Sequence, residues 1–386
     1  MAETRFIAAL DVLFPRGNRL FGDAGQHGEA QQMPPWPSLA AGAIRSRMLA
    51  DGAVDLAGFA NGQKPTGRLG DALGTPTEPG SFRLAWFSLG HRNRVGIEPI
   101  VPLPADLVAH PDEDSLLYLK PQVVSERLHA SHSTPQLAML CQGKSRKPDG
   151  GLWLNGAGLA SYLRGEAVRR EPHTTTTSRL WSSDPRLGIA LDPVTRAAQE
   201  GRLYTTEGIA PHTDVGFLAV ISGADDVIPK NGLIRLGGDG RGARIEPCQT
   251  KFPEPDWDRI GRERRFRIIL TTPGLFENGW RLSGLADNET WAGPGGLSAR
   301  LVSAAVPRAQ VVSGWDLAQR KPKPALRAAP AGSVYWFEAP DAEGSALMHE
   351  LRRLVTLGLG YLSQYPDKTR IAEGFNNVMV ANWTAA

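Results

Sequence analysis

The last third of the chain carries the pattern that most restricts its fold. Strand-like and helix-like runs follow one another there in a fixed order between residues 265 and 383. Strands are predicted for "RFRIILTTPG", "AQVVSGW", "GSVYWFEA" and "NNVMVANW", and helices for "GGLSARLV" and "ALMHELRRLV". One helix follows the first strand and the other follows the third, so the order is β-α-β-β-α-β, the ferredoxin-like unit.

The first two thirds of the chain fit a looser version of the same unit. "RFIAALDVLF" (residues 5–14) is a continuous apolar run with one interior charge, which is typical of a buried strand. "VGFLAVISG" and "GLIRLGG" predict further strands that close this region. We therefore expect an α+β protein with two tandem ferredoxin-like, RRM-like domains. The expected domains are residues 1–258, enlarged by insertions, and residues 259–386.

Composition limits the classes of protein to which the chain can belong. It has 386 residues, of which 41% are hydrophobic, as in globular proteins. No apolar run approaches the ~18 residues that a membrane helix needs, and the first residues do not resemble a signal peptide. The two cysteines, Cys141 and Cys248, do not form a disulfide scaffold, so we expect a cytoplasmic protein. A net charge of +3 argues against a general DNA-coating protein.

The stretch "MPPWPSLAAGAIRSRML" predicts a slim helix with a rigid start. Prolines immediately before it favour extended backbone, and Ser38 is a good residue for the N-cap. On a helix over residues 39–49, small apolar residues form one stripe, and Arg45 and Arg47 flank it. Since a helix N-terminus attracts anions, we expect a phosphate to bind near Trp36 and Ser38.

Basic residues also occur in a predicted hairpin and in two turns. Strand-like ends surround a polar middle over residues 187–207, which predicts an extended β-hairpin with Arg186, Arg196 and Arg202. Arg241 lies in the turn "GGDGRG", and a proline-rich loop carries Lys321 and Lys323. Such groups can bind backbone phosphates or can simply be solvated surface.

Motifs for nucleotide, metal or nucleophilic chemistry are incomplete. "GKS" at residues 143–145 lacks the glycine that a phosphate-binding loop requires, because that position is Ala138. His129 and His132 have no evident third metal ligand, and no GxSxG motif is present. We expect neither a metal nor a cofactor. His27, in a glycine-rich loop, is the one histidine in a plausible catalytic position.

The chain resembles the RAMP proteins of CRISPR systems. More narrowly, it resembles the Cmr-type subunit of subtype III-B effector complexes that lies at the 5′ end of the guide RNA. The matching stretches are "LDVLFPRGNRLFG", "PPWPSLAAGAIRSRML", "DPRLGIALDPVTRAAQEGRLYTTE", "LIRLGGDGRGARI", "ILTTPGLFENGW", "SGWDLAQRKPKPALRAAPAGSVYWFE" and "EGFNNVMVANW". Residues 313–338 are the most specific of these, whereas residues 52–112 and 281–300 carry little that is diagnostic.

The resemblance implies two RAMP domains and a protruding hairpin, the thumb, at about residues 185–208. It implies a subunit that is not an enzyme, that binds the 5′ tag of the CRISPR RNA and that kinks the guide with its thumb. It also implies that the subunit joins the large cyclase/polymerase-like subunit to the backbone RAMP subunits and meets target RNA only indirectly. The family usually carries a Gly-aromatic-Gly turn, and here the turn is Gly374-Phe375-Asn376. The residues that we expect to contact RNA are Arg16, Arg19, Trp36, Ser38, Arg45, Arg47, Arg186, Arg196, Arg202, Arg241, Lys321, Lys323, Gly374 and Asn376.

Two other functions remain open at this point. One is a metal-independent endoribonuclease that processes CRISPR repeat RNA, with His27 as the general acid or base. The other is a structural adaptor that contacts only protein. Cleavage of repeat RNA in EDTA separates the first function from RNA binding, and crosslinking to the tag separates the second.

Overall fold

The structure is a computed structural model that describes residues 2–15, 33–123, 134–140, 147–237, 240–362 and 367–384. These ranges contain both helices and antiparallel strands, so the predicted mixture of α and β structure is confirmed. The helices are α1 (Pro37–Asp51), α2 (Leu56–Ala60), α3 (Gly67–Leu73), α4 (Gly156–Leu163), α5 (Thr177–Leu180), α6 (Trp257–Glu263), α7 (Gly344–Leu362) and α8 (Lys368–Ala372). None of the helices in these ranges is both long enough and apolar enough to cross a bilayer.

The strands fall into two large sheets and several two-stranded ones. They are β1 (Glu3–Ala9), β2 (Arg83–Arg92), β3 (Ile97–Pro102), β4 (Leu107–Val108), β5 (Leu117–Tyr118), β6 (Lys120–Val123), β7 (Gln136–Met139), β8 (Leu152–Leu154), β9 (Thr174–Thr176), β10 (Trp181–Leu191), β11 (Ala198–Pro211), β12 (Val215–Ser222), β13 (Gly232–Arg235), β14 (Gly242–Pro247), β15 (Arg265–Leu270), β16 (Thr290–Ala292), β17 (Ser298–Ala305), β18 (Gln310–Val312), β19 (Trp315–Asp316), β20 (Lys321–Pro322), β21 (Leu326–Ala328), β22 (Val334–Glu338) and β23 (Val378–Ala381).

The N-terminal sheet has eight antiparallel strands in the order β13-β14-β1-β12-β2-β3-β8-β9. Both faces of its central strand β1 are covered, because Ile7 packs under α1 while Phe6 packs on the opposite side with Leu218. This two-sided burial is the physical reason that residues 6–9 of β1 are all apolar rather than alternating. The helix α1 therefore lies on one face of the sheet and leaves the other to loop residues.

Helix α1 confirms the predicted small-residue stripe but not its predicted cap. Ala40, Ala41 and Ile44 are fully buried against the sheet. The helix starts two residues earlier than expected, with Trp36 as N-cap and proline in the first turn, so Ser38 lies inside the helix and caps nothing. Proline suits the first position of a helix, because its φ angle is already helical and the N–H that it lacks would have no partner within the helix there. A start at Pro37 is therefore favoured over a start capped by Ser38.

The C-terminal sheet has five antiparallel strands in the order β16-β17-β22-β15-β23. One face packs against α7 through Leu347, Leu351 and Leu354. The other face, which includes Trp336, packs against residues of the N-terminal part such as Leu159. The C-terminal sheet is thus held between its own helix and the rest of the chain.

One predicted helix of this region was wrong, and one predicted strand is shorter than expected and lies outside the main sheet. "GGLSARLV" does not form a helix, because Ser298–Ala305 is strand β17, which pairs with β22 along most of its length. Within "AQVVSGW", Gln310–Val312 is strand β18, which pairs with β21 in a separate two-stranded sheet, and Trp315 begins strand β19. An isolated eight-residue helix is barely stable, so pairing with a buried neighbouring strand decides the outcome.

Candidate nucleic-acid interface

Strands β10 and β11 form a separate two-stranded hairpin. They pair from Trp181 with Pro211 as far as Ile189 with Leu203, and an irregularity precedes the last pair. The hairpin predicted around residues 187–207 is therefore present, and it begins six residues earlier and ends four residues later. Its base is tied to the N-terminal region by backbone hydrogen bonds of 2.8 Å in both directions between Leu13 and Ile209.

The tip of the hairpin is a turn organised by one carboxylate. Oδ1 of Asp192 accepts hydrogen bonds from the backbone N–H groups of Val194 (2.9 Å) and Thr195 (2.7 Å). These backbone hydrogen bonds, with that of the Thr195 hydroxyl, lower the pKa of Asp192. Arg196 then adopts φ of +57° and closes the turn. Its side chain is exposed and forms no ion pair with any described residue.

The two faces of the hairpin differ in chemistry. Leu187 and Ile189 alternate along β10, and Leu203 is opposite Ile189, so these three side chains share one face. They are exposed by 69%, 44% and 53%, which is unusual for leucine and isoleucine on a monomeric surface. Arg186 and Arg202 lie on the opposite face by the same alternation. The hairpin thus offers an apolar face and a basic face to whatever binds it.

Arg186 and Arg241 are brought together at the base of the hairpin by one aromatic ring. Their guanidinium carbons lie 5.6 Å and 5.0 Å from the centre of the Phe14 ring. Each also has a carboxylate partner, with 2.8 Å between Arg186 and Asp184 and 2.5 Å between Arg241 and Asp11. A hydrogen bond from the Val12 N–H lowers the pKa of Asp11, and both arginines lower it further.

The start of α1 lies where the N-terminal and C-terminal parts of the chain meet. Trp36 is partly buried and packs on a cluster formed by Leu275, Val312, Ala328 and Phe375. Ser38 follows in the first turn and is partly exposed. The sequence-predicted residues Trp36 and Ser38 are thereby close to the turn that contains Phe375.

Arg45 and Arg47 leave α1 on opposite sides and have different partners. Arg47 bonds to Asp51 at 2.6 Å and donates at 2.6 Å to the Leu233 carbonyl on edge strand β13. Arg45 donates only at 3.4 Å to the Leu73 carbonyl. Burial lowers the pKa of Arg45, and the negative charge of Glu373 partly offsets that shift. Arg47 is therefore committed to the sheet edge, whereas Arg45 has no carboxylate partner within ion-pair distance in the described ranges.

The basic segment after β19 contains one exposed lysine and one lysine in an ion pair. Lys321 is exposed on the short strand β20. Lys323 forms an ion pair with Glu373, whose side chain is only 7% exposed. Glu373 also pairs with Arg370 at 3.2 Å. Arg370 and Glu373 were missed in the sequence, since a basic and an acidic residue three positions apart on a short helix look like an ordinary surface pair.

The turn at residues 374–376 has the left-handed backbone that its glycine and asparagine permit, with φ of +94° at Gly374 and +64° at Asn376. It faces inward rather than outward. A Cβ at Gly374 would lie 2.8 Å from the Leu84 carbonyl oxygen. The Asn376 amide is fully buried and bonds to the backbone N–H (2.6 Å) and carbonyl (3.1 Å) of Leu275. The turn therefore packs against Leu84 and Leu275 in the interior. For this reason we do not include Gly374 and Asn376 in the RNA-contacting surface.

Three predicted residues and the predicted absence of a metal site remain. Arg16, Arg19 and His27 lie outside the described residues. Within the described ranges, no group of three or more His, Cys, Asp or Glu residues could hold a metal ion.

Comparison with known proteins gives one strong match and several weak ones. A family model described as "CRISPR-associated protein (Cas_Cmr3)" matches residues 5–383. A cryo-EM structure of the type III-B Cmr-beta bound to cognate target RNA and AMPPnP contains a chain that is 16% identical, with 98% of this chain and 96% of that chain covered and a TM-score of 0.49. A second such structure, bound to cognate target RNA, has a chain that is 18% identical at the same coverage, with a TM-score of 0.46. No curated protein matches the sequence.

Proposed function

The chain belongs to the CRISPR-associated Cas_Cmr3 family, the Cmr-type subunits of type III-B effector complexes, and from that membership we propose a specific role in antiviral defence. The subunit binds the repeat-derived 5′ tag of the CRISPR RNA, bends the guide with its hairpin and links the large subunit to the backbone RAMP subunits. It meets target RNA only through that assembly, and it breaks no bond.

The order of strands supports two ferredoxin-like units in tandem. In that fold the four strands stand in the order 4-1-3-2, all antiparallel to their neighbours. Four neighbouring strands of the N-terminal sheet follow this order, as β14-β1-β12-β2. Four of the C-terminal sheet do so as well, as β23-β15-β22-β17. One crossover of each unit is helical, with α1, α2 and α3 between β1 and β2 and with α7 and α8 between β22 and β23. Within the described residues, the other crossover of each unit consists of loops and one short strand, with a single 3-10 turn (Pro294–Gly296) in the second unit.

The hairpin β10–β11 is the observation that carries the RNA-binding role. Phosphates are negatively charged and bases are flat and apolar, so a guide strand offers two kinds of surface. The hairpin has a matching pair of faces, with Arg186 and Arg202 on one and Leu187, Ile189 and Leu203 on the other. A protrusion of this kind can separate neighbouring bases while its arginines bind the displaced backbone. This supports its assignment as the thumb.

A second surface supports binding of the tag. It consists of Trp36 and Ser38 at the start of α1, Arg45 on its side, and Lys321 and Lys323 in the loop after β19. Trp36 is partly exposed, so its ring can contact a base, and Ser38 adds a hydroxyl in the first turn of α1. Pro37 has no N–H, and the N–H of Leu39 donates to the Trp36 carbonyl at 2.9 Å, so side chains rather than backbone N–H groups carry this surface. The two lysines come from the C-terminal part and Arg45 from the N-terminal part. Tag RNA bound here would contact both.

A shortened hairpin tests the thumb directly. Leu187 and Thr205 are cross-strand partners, so replacing residues 188–204 by Asn-Gly closes a two-residue hairpin without disturbing its base. We expect the variant to melt at the same temperature as the wild type but to assemble poorly with the other subunits on a CRISPR RNA. A matched control is Val194→Ala, which alters the exposed tip and keeps every arginine. Normal assembly and guide protection by the shortened variant would exclude the thumb role.

A further inference from the structure

Two cationic side chains from distant parts of the sequence bind a single carboxylate, and a third cation, on α1, is affected by the charge of that carboxylate. Arg370 lies on α8, Lys323 follows β20, and Arg45 projects from α1. The carboxylate is Glu373, which follows α8 directly. The cations are up to 325 positions apart in sequence, so only the folded chain creates this group, which we call the Glu373 cluster.

The contacts within the Glu373 cluster are unequal. Arg370 and Lys323 each bind one oxygen of Glu373, and Arg370 also donates at 3.2 Å to the Ser313 carbonyl. Arg370 is 2% exposed on its side chain, and Lys323 is 22% exposed. Arg45 is affected by the charge of Glu373 but forms no ion pair with it or with another described carboxylate. The cluster therefore has an inner side at Arg370 and an outer side at Lys323.

The charges in the cluster do not balance. Three permanent positive charges are offset by one negative charge, in a place where much of the solvent is excluded. A partly buried cation without a partner costs free energy, and an anion that bonds to it recovers that cost. Phosphate groups are well suited, because arginine and lysine form charge-assisted hydrogen bonds to their oxygens. The imbalance points to an anion that the isolated chain lacks.

We propose that the Glu373 cluster binds a backbone phosphate of single-stranded RNA and that Glu373 occupies this site until the phosphate displaces it. Glu373 is then an internal competitor, which weakens binding of any single phosphate and leaves the site open only to RNA held by further contacts. The ligand class rests on the proposed function, since RNA is the polyanion that the proposed role brings to this surface. Phe375, over whose ring Arg370 lies at 5.4 Å, extends the cluster toward Trp36.

The decisive variant is Glu373→Gln, which keeps the size of the side chain and removes its charge. We expect it to bind a labelled single-stranded RNA that carries the 5′ tag about five- to tenfold more tightly than the wild type in fluorescence anisotropy. The dependence of log K on log salt should become steeper, by no more than about 0.7, because that is the value for one fully neutralised phosphate on a single strand and the wild-type cations are shared with Glu373. Adding Arg45→Gln should cancel the gain. Glu263→Gln, which removes a carboxylate paired with Arg259 on α6, controls for net charge and should change nothing.

Thermal unfolding with inorganic phosphate separates this inference from the proposed function. At matched ionic strength, phosphate should raise the melting temperature of Glu373→Gln more than that of the wild type, and Arg45→Gln should remove the effect. If wild-type protein binds no RNA while phosphate still stabilises Glu373→Gln, the result supports the anion site and contradicts the RNA-binding role. If RNA binds but Glu373→Gln changes neither affinity nor phosphate response, the cluster is structural only and the inference is wrong. Should Glu373→Gln fail to fold, the same comparison is made with Lys323→Gln, which must weaken RNA binding and abolish phosphate stabilisation.

Discussion

Arg267 on β15 and Asp106 in the loop before β4 form an ion pair that is completely hidden from solvent. The remaining groups of the pair are satisfied as well. Asp106 accepts a 2.7 Å hydrogen bond from the Tyr162 hydroxyl, and Arg267 donates to the carbonyls of Asn382 (2.8 Å) and Tyr162 (3.0 Å). Burial raises the pKa of Tyr162, so its hydroxyl stays a donor. Two residues 161 positions apart thereby join the C-terminal sheet to the N-terminal part.

Removing one partner of this pair should be costly. Asp106→Asn leaves the buried guanidinium of Arg267 without a counter-charge, and we expect the free energy of unfolding to fall by about 3–5 kcal/mol. Chemical denaturation followed by tryptophan fluorescence measures the change. The double variant Asp106→Leu with Arg267→Met buries no charge and should lose much less. A loss below about 1 kcal/mol in the single variant would contradict the assigned role.

Asn376 should contribute to stability through its side chain and its backbone separately. Asn376→Ala removes both hydrogen bonds to Leu275 and forces alanine into a left-handed conformation, so we expect a loss of about 2–4 kcal/mol. Asn376→Gly also loses the bonds but tolerates the backbone, and it should lose about 1 kcal/mol less. Equal losses in the two variants would show that the positive φ angle carries no cost here.

The hairpin tip should respond to acid through Asp192. Hydrogen bonds to its carboxylate lower its pKa below the unperturbed 3.8. A lowered pKa stabilises the folded tip at pH values above 3.8, and this contribution is lost as the pH falls through the folded-state pKa. The protection factors of the Val194 and Thr195 amides, which already correct for the intrinsic exchange rate, should therefore be smaller in acid than at neutral pH. Asp192→Asn should remove this pH dependence, and an unchanged profile in that variant would count against the turn.

The two arginines of α1 should differ in their effect on RNA binding. Arg45→Ala removes an available cation, and we expect affinity for tag RNA to fall by about 1–3 kcal/mol. Arg47→Ala removes a side chain already bound to Asp51 and Leu233, and it should change affinity less than twofold. The two variants are a matched comparison, because each removes one arginine from the same helix, α1. Equal effects would mean that general charge, rather than position, governs binding.

The proposal that the subunit breaks no RNA bond is directly testable. Purified protein incubated with CRISPR repeat RNA in EDTA should leave the RNA intact, as a binding subunit would. Wild type and His27→Ala should behave identically in denaturing gels. Specific cleavage that His27→Ala abolishes would support the endoribonuclease alternative instead.

Much of the local structure could be read from the sequence. The continuous apolar run over residues 5–14 predicts a buried strand, and the polar middle between two strand-like ends over residues 187–207 predicts a hairpin. The hairpin depends on pairing between segments that are close in sequence. The buried strand can be recognised from the apolar type of its side chains alone. The same holds for the small-residue stripe of α1. The family resemblance rests on such local stretches and is confirmed by the match over residues 5–383.

The tertiary structure decided which of the predicted cations remain available. Arg45 and Arg47 are equivalent in sequence, yet strand β13 engages Arg47, whereas Arg45 has no ion pair with a described carboxylate and is affected by the charge of Glu373, 328 positions away. Residues 298–305 became a strand because β22 offered a partner, and Asn376 turned inward because Leu275 offered one. A side chain's charge is a property of the sequence, but its free energy depends on burial and on the partners nearby. Those partners come from distant parts of the chain, so no local pattern contains them.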